Sequence, residues 1–214
     1  MTTHLPLFPL GIVAFPFEQV NLHIFEPRYK QLISECEKTN QTFGILPFLD
    51  KKLMHFGTEM KLLNIEKVYA NGEMDIKTLG MRVFKLEEFY PKLDLKLYGA
   101  GDVTMLPTEL QSDYFSNVKI IELVNELFSV LEIKKAIPEI DDHFSTFKLG
   151  HLVGFNIEQE FEFLILKTES DRQVYMYKHL ESLLPIVREM HKLQERAKLN
   201  GHFRNIIPPD LYNL

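Results

Sequence analysis

The residues whose types and spacing could support covalent chemistry are Ser116 and Lys119, which form an S-x-x-K tetrad. On a helix this spacing lets a neutral lysine activate the serine hydroxyl as a nucleophile. The S-D-N and K-T-G companions of such a tetrad are missing from the sequence. Helical spacing also puts both side chains off the apolar face, where water keeps the lysine protonated. We therefore expect both to be solvated surface residues, and we predict no catalytic residue in the chain.

Eight histidines are spread along the chain and raise the question of a metal site. None forms an H-x-x-x-H or H-E-x-x-H pair, the spacings that put two ligands on one helix face. His143 and His151 stand near Asp141 and Asp142, but no thiolate accompanies them to complete a zinc site. A phosphate-binding G-x-x-x-x-G-K-[ST] loop is absent as well. We predict no metal and no other cofactor.

The only cysteine of the sequence is Cys36. A single thiol forms no intrachain disulfide, which indicates a reducing, cytoplasmic compartment. Cys36 follows Tyr29, Leu32 and Ile33 at i, i+3, i+4 and i+7 spacing, which places all four on one helix face. We therefore expect Cys36 to be a small core residue and not a nucleophile.

The first half of the chain has the apolar alternation of strands. Asn71-Gly72, between two such segments, is the strongest short signal for a β-hairpin. Phe43–Leu49, residues 83–86 and the alternating leucines of residues 93–97 are predicted to be further strands. A single short helix is expected from Pro27 to Glu37, because proline is well tolerated in a first helical turn.

After residue 107 the apolar period becomes helical. The pattern predicts a helix over residues 109–131, with shorter helices near 147–153 and 158–166. A last helix is expected to begin at Ser170 as a cap, to be kinked by Pro185 and to end at Gly201. The apolar stripe expected to bury the first of these helices consists of Tyr114, Val118, Ile121, Val124, Asn125 and Phe128.

The composition is that of a globular protein with a substantial core, since 45% of the residues are hydrophobic. No apolar run approaches the roughly 20 residues of a membrane-spanning helix, and we expect no secretory signal at the start of the chain. The net charge of −6 opposes binding to nucleic acid. One local exception is a basic stripe on the last helix, which we interpret as a solvated face. Its members are Arg188, Lys192, Arg196, Lys198 and Arg204.

Two spaced blocks near the start of the chain carry a family resemblance. The first is Leu5-Pro6-Leu7-Phe8-Pro9-Leu10, and the second is Leu22-His23-Ile24-Phe25-Glu26-Pro27-Arg28-Tyr29, with Phe15-Pro16 between them. Together they resemble the start of the substrate-binding (LON) domain that opens Lon proteases and also occurs in stand-alone proteins. Fainter similarity continues through Gly80-Met81-Arg82-Val83-Phe84 and into the last helix.

The resemblance implies an α+β fold: a PUA-like, partly open antiparallel β-barrel followed by a C-terminal helical bundle. This agrees with the two apolar periods. We predict a β subdomain with one short helix over residues 1–107, a helical bundle subdomain over residues 108–201 and a C-terminal tail over residues 202–214.

The resemblance also implies a function in binding unfolded or tagged polypeptides, or a partner protease or chaperone. Full Lon proteases add an ATPase and a Ser–Lys peptidase, and neither is expected in these 214 residues. We therefore predict a non-catalytic, cytoplasmic polypeptide-binding module that contacts no membrane. The alternative is RNA binding, because PUA-like barrels of other families bind RNA. Its support in the sequence is the basic stripe.

The residues of the two blocks are expected to serve the fold more than the ligand. This structural set consists of Pro9, Phe25, Glu26, Arg28 and Tyr29. The candidates for peptide binding are aromatic residues beside prolines, which we expect to lie where the loops of the first half meet the helices. Core packing and ligand contact both stay open for each of them. They are Phe15, Phe17 and Phe48.

Overall fold

The computed structural model describes residues 2–109 and 111–199 of the chain. It divides into two compact units, residues 1–108 and 109–214. The described part of the first unit contains strands β1 (Thr2–Leu10), β2 (Gln19–Ile24), β3 (Phe43–Leu49), β4 (Lys52–Leu53), β5 (Phe56–Val68), β6 (Met74–Tyr90) and β7 (Gly99–Met105), and helix α1 (Pro27–Thr39). The second unit contains α2 (Tyr114–Val130), a 3₁₀ helix (Thr146–Leu152), α3 (Ile157–Leu164) and α4 (Glu169–Leu199).

Five strands of the first unit are linked in a ring. Antiparallel pairings join β1 to β7, β7 to β6, β6 to β5 and β5 to β3, and a parallel pairing of β3 with β1 returns to the start. Some of these ladders are short; Phe43–Ile45 alone pairs with Thr58–Met60 between β3 and β5. The sheet is therefore partly ringed and mostly antiparallel, which confirms the predicted fold class without forming a regular barrel.

The long strand β6 organises this sheet. One of its edges pairs with β5, while the other pairs with β2 over Met74–Leu79 and with β7 from Phe84 onward. Between these two ladders, the chain that precedes β2 lies against Gly80. The Gly80 N–H donates to the carbonyl oxygen of Glu18 at 2.8 Å. A Cβ atom at Gly80 would lie 2.0 Å from the carbonyl oxygen of Phe15, so only glycine allows this approach.

Helix α1 packs against the sheet through the helix face that the sequence predicts. Its buried residues are Tyr29, Leu32, Ile33 and Cys36, which pack with residues of the strands in one hydrophobic cluster. Burial raises the pKa of the Cys36 thiol to about 11, so the thiolate is scarce at neutral pH. The expectation that Cys36 is an inert core residue is confirmed.

The predicted strand over residues 93–97 is wrong. This segment is a turn-rich connection between β6 and β7, and Leu95 is 98% exposed with a left-handed φ of 62°. The connection is fixed by contacts with α1 and not by a strand ladder. The Glu35 carboxylate accepts from Lys96 at 2.6 Å and from the Tyr98 hydroxyl at 2.5 Å. Residues 83–86 do lie in a strand, but as a continuation of β6.

In the second unit, the buried face of α2 agrees with the predicted stripe only in part. Val124 and Phe128 are buried as predicted, but the other buried positions are Asn117, Ile120 and Leu127. The expected stripe began at Tyr114, which is exposed. The reason lies in a buried amide pair, in which the Gln173 side chain donates to the Asn117 carbonyl oxygen at 2.7 Å. A polar residue on the inner face is invisible to a search for apolar periodicity.

Helix α4 is capped by Thr168 rather than by the predicted Ser170. The Thr168 hydroxyl oxygen accepts from the backbone N–H of Asp171 at 3.0 Å and donates to the carboxylate of Asp171 at 2.6 Å. Pro185 lies within the helix, which is continuous from Glu169 to Leu199. The predicted helix end at Gly201 and the tail over residues 202–214 lie outside the described residues.

A buried ion pair ties the start of α4 to the rest of the second unit. Glu169 and Arg172 have side chains that are 0% and 2% exposed. The Glu169 carboxylate accepts from the Ser145 hydroxyl at 2.9 Å, the Thr146 N–H at 2.6 Å and the Arg172 guanidinium at 2.7 Å. The guanidinium lies 4.2 Å from the centre of the Phe147 ring. Its other N–H groups donate to the carbonyls of Leu166 and Glu109 at 2.9 and 2.8 Å.

Across residues 2–109 and 111–199, no helix has the length and apolarity needed to cross a lipid bilayer.

Candidate functional site

Strand β2 is an edge strand of the first unit. It pairs with β6 along Gln19–Ile24, and no other strand in the part of the chain that the structure describes pairs with it. Alternate side chains point inward, with Ile24 fully buried, while Asn21 and His23 are exposed. The edge away from β6 therefore has backbone N–H and C=O groups without a ladder partner, which is the arrangement that accepts an added strand.

Phe25 follows β2 directly and is 59% exposed. The chain has two positions, Phe25 and Glu26, in which to change from strand to helix. Because Ile24 and Tyr29 are both held in the core, the residue after Ile24 points to the opposite side. The Phe25 ring stacks loosely on the His23 ring, with ring centres 6.3 Å apart and planes at 24°. A large exposed aromatic at the end of an open strand is suited to anchor a ligand.

The His23 ring lies between two carboxylates. Its Nδ1 is 2.7 Å from Asp75 Oδ1, across the ladder between β2 and β6, and its Nε2 is 3.2 Å from Glu73 Oε2. The hydrogen bond to Asp75, followed by that to Glu73, raises the pKa of His23 above its ordinary value.

Tyr69 completes this cluster from the end of β5. Its hydroxyl donates to Asp75 Oδ2 at 2.6 Å, and its ring meets the His23 ring edge-on at 5.7 Å. The Lys67 ammonium group lies 4.3 Å from the centre of the Tyr69 ring. The hydrogen bond from Tyr69, with that from His23, holds the pKa of Asp75 below its usual value. We call the side chains of Phe25, His23 and Tyr69 the Phe25 surface.

Glu26 and Arg28 form an exposed ion pair next to this surface. Arg28 Nε donates to Glu26 Oε2 at 2.8 Å, with the two side chains 49% and 38% exposed. Glu26 is the N-cap residue of α1, but its side chain accepts no hydrogen bond from the first helical turn. Exposed pairs of this kind contribute at most about 1 kcal/mol to the free energy of unfolding. The pair therefore lies on the surface and contributes little to the stability of the fold.

Of the other members of the predicted structural set, Phe25 is exposed and Pro9 is partly buried, whereas Tyr29 lies in the core. Tyr29 is buried, its ring stacks on Phe8 with centres 3.7 Å apart, and its hydroxyl donates to the carbonyl of Pro9 at 3.3 Å. The motif thus has an inner part and an outer part. Phe25 was predicted to serve the fold and not the ligand, but its ring is exposed. The alternation along β2, with Ile24 inward, was the signal that could have placed it outside.

The three aromatic residues predicted to bind peptide occupy different environments. Phe15 is fully buried. Phe17 is half-buried, with a left-handed φ of 66°, and its N–H donates to the carbonyl of Gly80 at 2.8 Å. Phe48 is exposed near the end of β3, where it pairs with Leu53 in the β3–β4 hairpin. Phe17 and Phe25 thus flank β2 at its two ends, while Phe48 belongs to a separate hairpin.

The serine–lysine tetrad has a structural explanation. The Ser116 hydroxyl donates to the carboxylate of Asp113 at 2.7 Å, and the same carboxylate caps α2 by accepting from the Ser116 N–H at 2.7 Å.

Of the histidines considered for a metal site, His151 has its Nε2 3.5 Å from Glu160 Oε1. In the described ranges, residues 2–109 and 111–199, no group of three or more histidine, cysteine or acidic side chains could hold a metal ion.

Two members of the basic stripe on α4, Arg188 and Lys198, are paired with acidic side chains. Arg188 Nε donates to Glu126 Oε1 at 2.7 Å, and Lys198 Nζ donates to Glu195 Oε1 at 2.7 Å. Arg204 lies outside the described residues. Carboxylates that neutralise the stripe reduce the positive field that an RNA backbone requires.

Comparison with known proteins adds an independent line of evidence. The family model of the ATP-dependent protease La (LON) substrate-binding domain matches residues 4–198. No curated protein matches the chain significantly. A Lon N-terminal domain protein from Xanthomonas campestris is 22% identical with a TM-score of 0.61, and the alignment covers 86% of this chain and 98% of that one. The N-terminal domain of a Mycobacterium avium complex Lon protease is 14% identical with a TM-score of 0.63, over 84% and 98% of the two chains. At these identities the two structures show a common fold.

Proposed function

The chain belongs to the LON substrate-binding domain family, and from this premise we propose that it binds unfolded or tagged polypeptides in extended form without catalysing a reaction on them. The observation that carries the proposal is the open edge of β2, which ends in the exposed Phe25. An extended segment that pairs with this edge would satisfy backbone groups on both sides.

Strand addition suits clients that share no sequence. The six residues of β2 offer an edge of roughly 20 Å to an added strand. Backbone hydrogen bonds provide affinity that does not depend on the side chains of the client. A folded protein hides its backbone in its own secondary structure, so it competes poorly for the edge. This selects unfolded segments over native ones.

Aromatic anchors supply the second part of the binding energy. Phe25 at one end of β2 and Phe17 at the other can each contact an apolar side chain of the added strand. Phe48, on the β3–β4 hairpin, is a further anchor for a longer client. Phe15 is fully buried, so we assign it to the core and not to the binding surface.

The same binding activity can serve a partner protein. We propose that the chain presents its client to a protease or chaperone, since the matched family is described as the substrate-binding domain of an ATP-dependent protease. Cys36 is a buried free thiol, which suits a reducing, cytoplasmic location.

A calorimetric titration tests the proposal directly. The protein is titrated with a chemically unfolded polypeptide and with the same polypeptide in its folded form. Preferential binding of the unfolded form is the expected result, and equal or absent binding of both forms would remove the proposal. The Phe25→Ser variant should bind about tenfold more weakly, which is the effect of losing one aromatic anchor. Phe115→Ser is the matched control, because Phe115 is an exposed phenylalanine of the second unit.

A further inference from the structure

We propose that His23 makes polypeptide binding at the β2 edge dependent on pH, with the protonated ring as the binding-competent form. This inference rests on the proposed function, because it concerns the regulation of the same site. It follows from the position of the His23 ring between two carboxylates and under the Phe25 ring.

The geometry favours a cationic ring. Nδ1 faces Asp75 at 2.7 Å, Nε2 faces Glu73 at 3.2 Å, and carboxylates at these positions act as acceptors. The imidazolium form donates a hydrogen bond at both nitrogens. The neutral ring has a single N–H, so one of its nitrogens must turn a lone pair toward a carboxylate. Loss of the proton therefore breaks one hydrogen bond and adds a repulsive contact.

Every element around His23 contributes titratable or charged groups to the surroundings of its ring. From β6 and the turn before it come Asp75 and Glu73, and from β5 and its end come Lys67 and Tyr69. From the start of α1 come Glu26 and Arg28, which pair with each other, and Lys30, whose ammonium group donates to the carbonyl of Asn71 at 3.1 Å. His23 is the member of this group whose charge changes near neutral pH.

Deprotonation acts on the binding edge in two ways. The His23 ring loses a hydrogen bond that fixes its orientation, and with it Phe25 loses the surface on which its ring rests. The end of β2 also becomes more negative by one charge, beside the unchanged carboxylates of Glu73 and Asp75. The pKa of His23 is raised above its ordinary value of 6.5. Binding is therefore strongest below about pH 6.5 and weakens as the pH rises through the raised pKa.

The test measures affinity against pH with a probe that does not itself titrate. This probe is a fluorescently labelled, end-blocked, unstructured peptide that contains phenylalanine, threonine and asparagine but no acidic, basic or histidine residue. Its affinity is measured by anisotropy from about pH 5.5 to about pH 9, the range in which histidine titrates. In parallel, the His23 ring is titrated by NMR.

For the native chain we expect affinity to fall about two- to fivefold over this range, as for the loss of one exposed charge-assisted contact. The midpoint of the fall should coincide with the NMR midpoint of His23. His23→Gln should bind with no such transition. His55→Gln should retain it, since His55 is an exposed histidine elsewhere in the same unit. Circular dichroism verifies that each variant is folded.

Three results overturn the inference, and they differ in whether they also overturn the proposed function. A native chain that binds equally at every pH, or a His23→Gln variant that keeps the full transition, removes the role of His23 and leaves the proposed function intact. A native chain that binds the peptide at no pH removes the proposed function, and this inference with it.

Discussion

The two units each contain a glutamate–arginine pair near the start of a helix, and burial separates their roles. Glu169 and Arg172 of the second unit are 0% and 2% exposed, and the pair is bonded on every side. Glu26 and Arg28 of the first unit are 38% and 49% exposed and share a single hydrogen bond. The same chemistry thus forms a structural centre in one unit and a surface feature in the other.

This difference in burial indicates which of the two regions can bind a ligand. Every charged atom of a buried pair needs a hydrogen-bond partner, so the residues around the pair are occupied in bonding to it. An exposed pair leaves its surroundings free, and the residues beside it can contact a ligand. Phe25, next to Glu26, is exposed in this way, whereas Phe147, under Arg172, is buried. The largest and the smallest effects that we predict come from these two regions.

The largest effect is expected for Arg172→Ala. The substitution leaves the Glu169 carboxylate buried without its cationic partner, which costs about 3–5 kcal/mol of the free energy of unfolding. Urea denaturation of the variant and the native chain measures the loss, with a probe that reports on the second unit. If Arg172→Ala costs no more than Arg28→Ala, the contrast between the two pairs is wrong.

A comparable loss is expected for Phe15→Ala, because the ring is fully buried in the first unit. Removing a buried phenylalanine typically costs about 3–5 kcal/mol. Denaturation and peptide binding should be measured on the same preparation. A variant that keeps its stability and binds peptide poorly would return Phe15 to the binding surface.

An intermediate effect, on binding alone, separates the proposed anchors. Phe25→Ser should weaken peptide binding about tenfold and Phe48→Ser by less, since Phe48 lies away from β2. Both residues are exposed, so the midpoint of thermal unfolding should hardly change. A larger loss for Phe48→Ser would move the principal contact to the β3–β4 hairpin.

The smallest effect is expected for Arg28→Ala. Its exposed bond to Glu26 should be worth less than about 1 kcal/mol, and added salt should screen what remains. The denaturation midpoint at low and at high ionic strength gives this value. A loss near that of Arg172→Ala would mean that the outer part of the motif supports the fold.

Much of the fold could be predicted from local sequence, because local rules decide it. The face of α1 follows from the spacing of Tyr29, Leu32 and Ile33, and the β5–β6 hairpin follows from Asn71-Gly72. The two blocks before Tyr29 identified the family, which the match over residues 4–198 confirms.

The errors have a shared cause, which is that contacts distant in sequence overrode a local pattern. Residues 93–97 alternate like a strand, but Glu35 of α1 holds the connection by bonding Lys96 and Tyr98. The buried face of α2 includes Asn117, whose hydrogen-bond partner Gln173 lies on another helix. The Phe25 surface depends on His23 meeting Asp75 across the β2–β6 ladder, 52 residues away. None of these distant pairings has a signal in the sequence, whereas Tyr69 and Asp75 meet across the predicted hairpin.

The measurement that tests the central claim most directly is amide hydrogen exchange with and without a bound unfolded peptide. Strand addition places new backbone hydrogen bonds on the free edge of β2, so amides within Gln19–Ile24 should exchange more slowly in the complex. Strand addition predicts that this protection is reduced in Phe25→Ser at the same, non-saturating peptide concentration. Protection confined to the β3–β4 hairpin or to α2, with none in Gln19–Ile24, would contradict it.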